Sequence, residues 1–89
     1  MIAAATVGVL GEVAAERGRQ DARWGPQNHH PLYWLGILAE EVGEFAKDTI
    51  ERGRLESARG ELIQVAAVAV AAIESLDRNE LSPTASPPA

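Results

Sequence analysis

Apolar residues recur every three or four positions along most of the chain, with no sustained alternation of period two. That spacing lines apolar side chains along one face of an α-helix, and it predicts three helices. The first runs from about Ala4 to Ala22, where Val7, Leu10, Val13, Ala14 and then Arg17 share a face. Gly8, Gly11 and Gly18 weaken it, each by about 1 kcal/mol relative to Ala. The run from Trp24 to Pro31 is the clearest break, with Gly25-Pro26 as turn punctuation and Pro31 suited to the first position of a new helix. A second helix is expected over about Pro31–Glu51, with Leu35, Leu38, Val42, Phe45, Ala46 and Thr49 on its apolar side and Arg52-Gly53 ending it. The third spans about Leu55–Arg78. Ala58, Leu62, Val65, Ala66, Ala69, Ile73 and Leu76 form its stripe, while Ile63, Val68 and Val70 add apolar surface elsewhere. A helix apolar nearly all round is buried on more than one side, which points to a second subunit. Ser82–Ala89, rich in Pro and Ser, cannot continue a helix and is expected to be a disordered tail behind a single domain over residues 1–81.

Length sharpens that expectation. A chain of 89 residues buries only about 60–65% of its unfolded surface, so a lone core is marginal. With no Cys there is no disulfide or thiolate site to add stability, and a reducing, cytoplasmic setting fits. The expected architecture is an all-α, antiparallel bundle of about three helices whose core is completed by a homodimer or homotetramer. A net charge of -5 argues against a nucleic-acid polymer or an anionic membrane as partner, though not against a nucleotide, because carboxylates can bind cations that attract phosphate. Met1–Leu10 is apolar but lacks the basic start of a signal peptide, and it is far shorter than the about 20 residues needed to span a bilayer.

Candidate chemistry centres on Glu40, Glu41 and Glu44. On a helix these three share a face and repel one another, so solvent, facing cations or a metal must offset the repulsion. If the second and third helices form a hairpin about Gly53, Glu44 and Glu61 fall nearly the same number of residues either side of it. At about 1.5 Å rise per residue, each stands about 12 Å from the turn. Four carboxylates would then converge from two facing helices, as in bundles that build metal sites in their cores. Hard oxygen donors without Cys favour Mg²⁺, Mn²⁺ or Ca²⁺. A merely solvated acidic face is the competing interpretation of the same spacing.

Leu38-Ala39-Glu40-Glu41-Val42-Gly43-Glu44 followed by Glu61-Leu62-Ile63-Gln64 resembles the MazG-like family of all-α nucleoside triphosphate pyrophosphohydrolases, whose pattern is EExxE, a variable spacer, then ExxD. Glu16-Arg17-Gly18-Arg19-Gln20, Arg23-Trp24-Gly25, Tyr33-Trp34-Leu35 and Gln64-Val65-Ala66-Ala67-Val68-Ala69-Val70 also look like small bacterial or phage members, so the similarity covers about Val13 to Leu76. The resemblance implies cleavage of a nucleoside triphosphate to the monophosphate and pyrophosphate, with Mg²⁺ required. Carried over by position, it makes Glu41, Glu44 and Glu61 metal ligands and Glu40 a neighbouring carboxylate that binds metal or orients water. Gln64 stands where the family has Asp; its amide oxygen can ligate a hard cation, but it carries no charge and cannot act as a base.

Further residues have two interpretations each. Gln20, Arg17 and Arg23 can reach phosphate or base, or belong with Glu16 and Arg19 to a solvated face. Trp24 can stack on a base or pack. Trp34, in register with Leu38, is expected in the core. Lys47 can contact phosphate or pair with Glu44 or Glu51, and Arg52, Arg54 and Arg59 are expected as surface charges. His29 and His30 point in different directions without a second ligand pair, so they are expected as exposed loop residues. Three functions follow: a triphosphate hydrolase, a nucleotide- or metal-binding module of the same fold weakened at Gln64, and a structural helical protein.

Overall fold

A computed structural model describes residues 1–79; the tail expected over Ser82–Ala89 lies outside the described residues. All regular structure among the described residues is helical: α1 (Ala4–Trp24), α2 (Pro31–Ala46), a π-helical turn (Lys47–Glu51) and α3 (Leu55–Arg78). No helix is long and apolar enough to cross a membrane among those residues.

Local chemistry sets each boundary. Gly25 stops α1 at φ 72° and ψ 173°, a conformation that a Cβ disfavours strongly, and its N–H donates to the Asp21 carbonyl at 2.8 Å. α2 starts with Pro31 in its first turn, and the His30 ring Nδ1 accepts from the Leu32 N–H at 3.1 Å. The loop before α2 does not leave its two histidines exposed as the sequence suggests. His29 and His30 are half-buried structural residues: His29 stacks on Tyr33 at 4.3 Å, meets Trp34 edge-on at 5.0 Å, and its N–H donates to the Ser75 hydroxyl at 3.1 Å.

The end of α2 differs too. The periodicity carried one helix to Glu51, but the winding widens to a π-turn after Ala46. That turn buries Asp48, which is 4% exposed, and Arg52 reaches back to it with a 2.7 Å ion pair. Arg52 is therefore an anchor for the hairpin turn and not only a surface charge. The Arg54 N–H donates to the Asp48 carbonyl, and Gly53 turns the chain at φ 61°. Because the turn no longer repeats every 3.6 residues, the spacing from Lys47 to Glu51 stops stacking their side chains. Lys47 is exposed and makes no ion pair among the described residues. Arg52→Ala is expected to cost about 1–2 kcal/mol in urea denaturation, because it strands a buried carboxylate whose partner is itself half exposed.

α2 and α3 pack along the hairpin, and α1 packs on α3, while α1 and α2 share no packed interface. The C-terminal end of α3 meets the loop before α2: Arg78 donates to the Asn28 side chain at 2.8 Å and to the Gln27 carbonyl at 2.9 Å. α2 and α3 are thus antiparallel. Arg17–Glu74 and Glu12–Arg59 ion pairs hold α1 against α3. The core is small, built from Trp34, Val68 and Ala71 with Ile37, Leu38 and Ala72 around them. Ala58, Ala67 and Ala71 are buried on α3, where small side chains let the other helices approach.

Trp34 takes the expected core position. The expected face of α1 is only partly used: Val13 is buried, but Val7 and Leu10 are more than half exposed. Leu35, Val42, Leu62 and Ile73 are exposed as well. One chain provides too little facing surface to cover these stripes.

Candidate functional site

Since α1 and α2 do not touch, they leave a cleft over α3. It forms a cavity of about 510 Å³, within the range of small-ligand pockets. Its walls differ in chemistry. Trp34, Ile37, Val68 and Ala71 give an apolar floor; Arg17, Arg19, Arg23 and Arg78 bring positive charge; Glu16, Glu41 and Gln64 bring oxygen atoms. Trp24 stands at the rim, 60% exposed, with the Arg23 guanidinium 4.7 Å from its ring centroid. The guanidinium covers one face of the indole, so stacking on a base would use the other.

The arginines are held differently. Arg17 is nearly buried and donates to Glu74 at 2.9 Å, to Gln20 at 3.1 Å and to Asp21 at 2.9 Å. Its fork is spoken for, so it shapes the wall. Gln20, also in the wall, uses its amide oxygen to accept from Arg17. Arg78 ties down the loop, and Arg19 pairs with Glu16 at 2.7 Å. Arg23 makes no ion pair among the described residues and is the cation of this wall most available to an incoming anion.

The acidic side is under electrostatic tension. Burial pushes the Glu41 carboxyl above its ordinary range, and the like charges of Glu61, Glu40, Glu44 and Glu16 push it further the same way. Glu61 acts from α3, Glu40 and Glu44 from the same helix, and Glu16 from α1. The expectation of a convergent carboxylate set is met only in this electrostatic sense. Among the described residues no group of three His, Cys, Asp or Glu side chains is placed to hold a metal ion. Glu40 and Glu44 lie exposed, and of the four only Glu41 lines the cavity. The donor chemistry still suits a hard divalent cation, since every candidate is an oxygen and a cation would relieve the repulsion at Glu41.

Glu16 has the opposite electrostatics. Burial raises its carboxyl, but the Gln64 amide and the Arg19 guanidinium outweigh that and hold it below its ordinary value.

The cleft thus brings together Glu41, Gln64, Gln20, Arg23 and Trp24 from the sequence-derived candidates, while Lys47 lies outside its walls. Glu16 was not singled out as a site residue, although its spacing of four from Gln20 and seven from Arg23 places all three on one face of α1. Asp48 and Gln27 had no signal in the sequence that set them apart.

No family model matches this chain, and no curated protein or solved structure matches it. Its likeness to the MazG-like pattern rests on the motifs themselves.

Proposed function

We propose that this chain is a Mg²⁺-dependent nucleoside triphosphate pyrophosphohydrolase, acting in the cytoplasm on the nucleotide pool as a homodimer or homotetramer. The observation that carries this reading is Glu41. It is a carboxylate crowded by like charges on one wall of a ligand-sized cleft whose opposite features are cations and an exposed tryptophan. Negative charge crowded this way fits a cation, and a cation beside arginines fits a polyphosphate.

In this reading Glu41, Glu44 and Glu61 would hold Mg²⁺ (or Mn²⁺), with the Gln64 amide oxygen as a neutral fourth donor. Once bound, the ion would supply neutralisation of phosphate charge and activation of water. The chain's own side chains do the rest. Arg23 binds a phosphate oxygen, Gln20 and the braced Arg17 shape the pocket beside it, and Trp24 stacks on the base. Water attacks phosphorus at the bridge between the α- and β-phosphates, that P–O bond breaks, and pyrophosphate leaves. One of Glu40, Glu41, Glu44 or Glu61 accepts the proton from water. Lys47 has no place in this arrangement.

Exposed Val7, Leu10, Leu62 and Ile73 support the oligomer. Light scattering behind size exclusion is expected to return twice or four times the chain mass; a monomer would remove that part of the reading.

The test of activity is pyrophosphate release from a panel of ribo- and deoxyribonucleoside triphosphates, with and without Mg²⁺, beside Glu41→Gln. Trp24→Ala in the same assay is expected to raise KM about tenfold with little change in kcat, within the about 1–3 kcal/mol that base stacking contributes. An unchanged KM would assign Trp24 to packing.

A second reading is favoured by one pair of observations: Gln64 carries no charge, and the carboxylates are not drawn together. In it the same cleft holds a nucleotide or metal without turning it over. Mg²⁺-dependent nucleotide binding with no pyrophosphate release would select it.

A further inference from the structure

α2 carries a second apolar face that one chain does not cover. Its inner face, with Trp34 and Ile37, packs on α3, and α1 does not touch it. At about 100° per residue, Leu32, Leu35, Gly36, Ala39, Val42, Gly43 and Ala46 all lie within about 60° of one line down the other side. Six of the seven are exposed, Leu32 and Leu35 at 62% each, and Ala46 is half-buried. The seam runs about 21 Å, at about 1.5 Å per residue. No charged residue of α2 falls within it: Glu40 stands about 100° from its centre and Glu44 about 140°, while Glu41 lines the cleft.

Residue size along the seam is ordered about Ala39. Every large residue has a small one at the same distance on the other side: Leu32 and Ala46 at seven positions, Leu35 and Gly43 at four, Val42 and Gly36 at three. Two such helices laid antiparallel about a two-fold axis at Ala39 therefore fit large against small along their length. A parallel pair would set Leu against Leu at one end and Gly against Gly at the other, crowding the first and leaving voids in the second. The glycines point the same way. Within one chain a Cβ at Gly36 or Gly43 would meet nothing within 4 Å, so neither has a steric reason to lack a side chain, and each weakens the interior of α2. A second helix seated there supplies the reason, because its Val or Leu needs the space. The absence of charge lets the seam meet its own copy without burying a carboxylate, in a chain whose net charge is -5.

We infer that the outer seam of α2 is the interface between two copies of this chain, paired antiparallel across Ala39. Leu32 of one copy sits on Ala46 of the other, and Leu35 sits on Gly43. This inference rests on the oligomer proposed above and is independent of the metal and the nucleotide. Each copy keeps its own cleft, because Glu41 and Trp34 lie on the side of α2 turned away from the seam.

The experiment is mass measurement of the full chain by light scattering behind size exclusion, with disulfide trapping alongside. Because the chain has no Cys, every disulfide is one that a substitution introduces. Gly43→Leu meets open space within one chain, so helix content should hold, while the added side chain takes the place of Leu35 from the second copy. It is expected to halve the wild-type mass, and Leu35→Ala/Gly43→Leu to restore it. Under mild oxidation Ala39→Cys is expected to run at twice the chain mass on a gel without reductant. Leu32→Cys and Ala46→Cys chains are expected to cross-link when mixed and not separately, a pattern that a parallel pair would reverse. Wild-type mass in Gly43→Leu, or an oligomeric Ala39→Cys protein that does not cross-link, overturns the inference and leaves the oligomer to another face. Leu32→Cys linking to itself overturns the antiparallel order. If Gly43→Leu loses helix content, the trapping results decide alone. A monomeric wild type overturns this inference together with the oligomer, and pyrophosphate release still tests the activity separately.

Discussion

Glu41→Gln is expected to reduce Mg²⁺-dependent pyrophosphate release by at least about 100-fold and, in the metal-free protein, to raise the melting temperature. Both effects come from one charge. A metal ligand removed from a phosphoryl-transfer site forfeits several kcal/mol of charge stabilisation, and about 2.7 kcal/mol is already 100-fold in rate. Without metal the same carboxylate is a liability, because burial and the charges of Glu61, Glu40, Glu44 and Glu16 all oppose its ionisation. Its folded pKa is raised above the ordinary carboxylate value, so the folded state holds the proton more tightly than the unfolded chain. Stability contributed by the protonated form is complete below the unfolded carboxylate value and is lost as pH rises through the raised folded value. The variant should therefore match wild type in acid and melt at a higher temperature than wild type at neutral pH. Adding Mg²⁺ should close the gap by stabilising wild type more than the variant. Equal melting and equal turnover in the two proteins would mean that Glu41 belongs to an ordinary solvated face.

Trp34→Ala is expected to unfold the chain or leave it without fixed tertiary packing. Trp34 is 6% exposed and is the largest member of a core that otherwise consists of Val68, Ala71 and partly buried neighbours. Truncating a buried aromatic costs about 3–5 kcal/mol, comparable with the whole stability expected of so short a chain. Loss of near-ultraviolet circular dichroism and a flattened denaturation curve would register it. Trp34→Phe is the instructive contrast. The indole Nε1 is buried without a hydrogen-bond partner, so removing it relieves an unsatisfied donor and offsets part of the lost volume. The Phe variant is expected to lose no more than about 1–2 kcal/mol. A Trp34→Ala protein that melts near wild type would show that the core of one chain is not where the stability resides.

The order and placement of α1, α2 and α3 followed from the sequence because local physics decides them. Apolar residues at helical spacing, Gly25 and Gly53 where φ is positive, and Pro31 in a first turn act within a few residues of one another. The acidic face of α2 was legible for the same reason: Glu40 and Glu41 each lie about one turn from Glu44 whatever the helix packs against. What the three-dimensional arrangement decided was everything that depends on which faces meet. Periodicity does not reveal that α1 packs on α3 and avoids α2, and that separation creates the cleft. Nor does it foretell the π-turn, within which Asp48 is buried and paired with Arg52. The meeting of Glu16 and Gln64 in the wall of one cleft, and the crowding that singles out Glu41 among equivalent glutamates, are likewise products of packing. Charge and burial act through space, and a helix-forming pattern carries only the angle around its own axis.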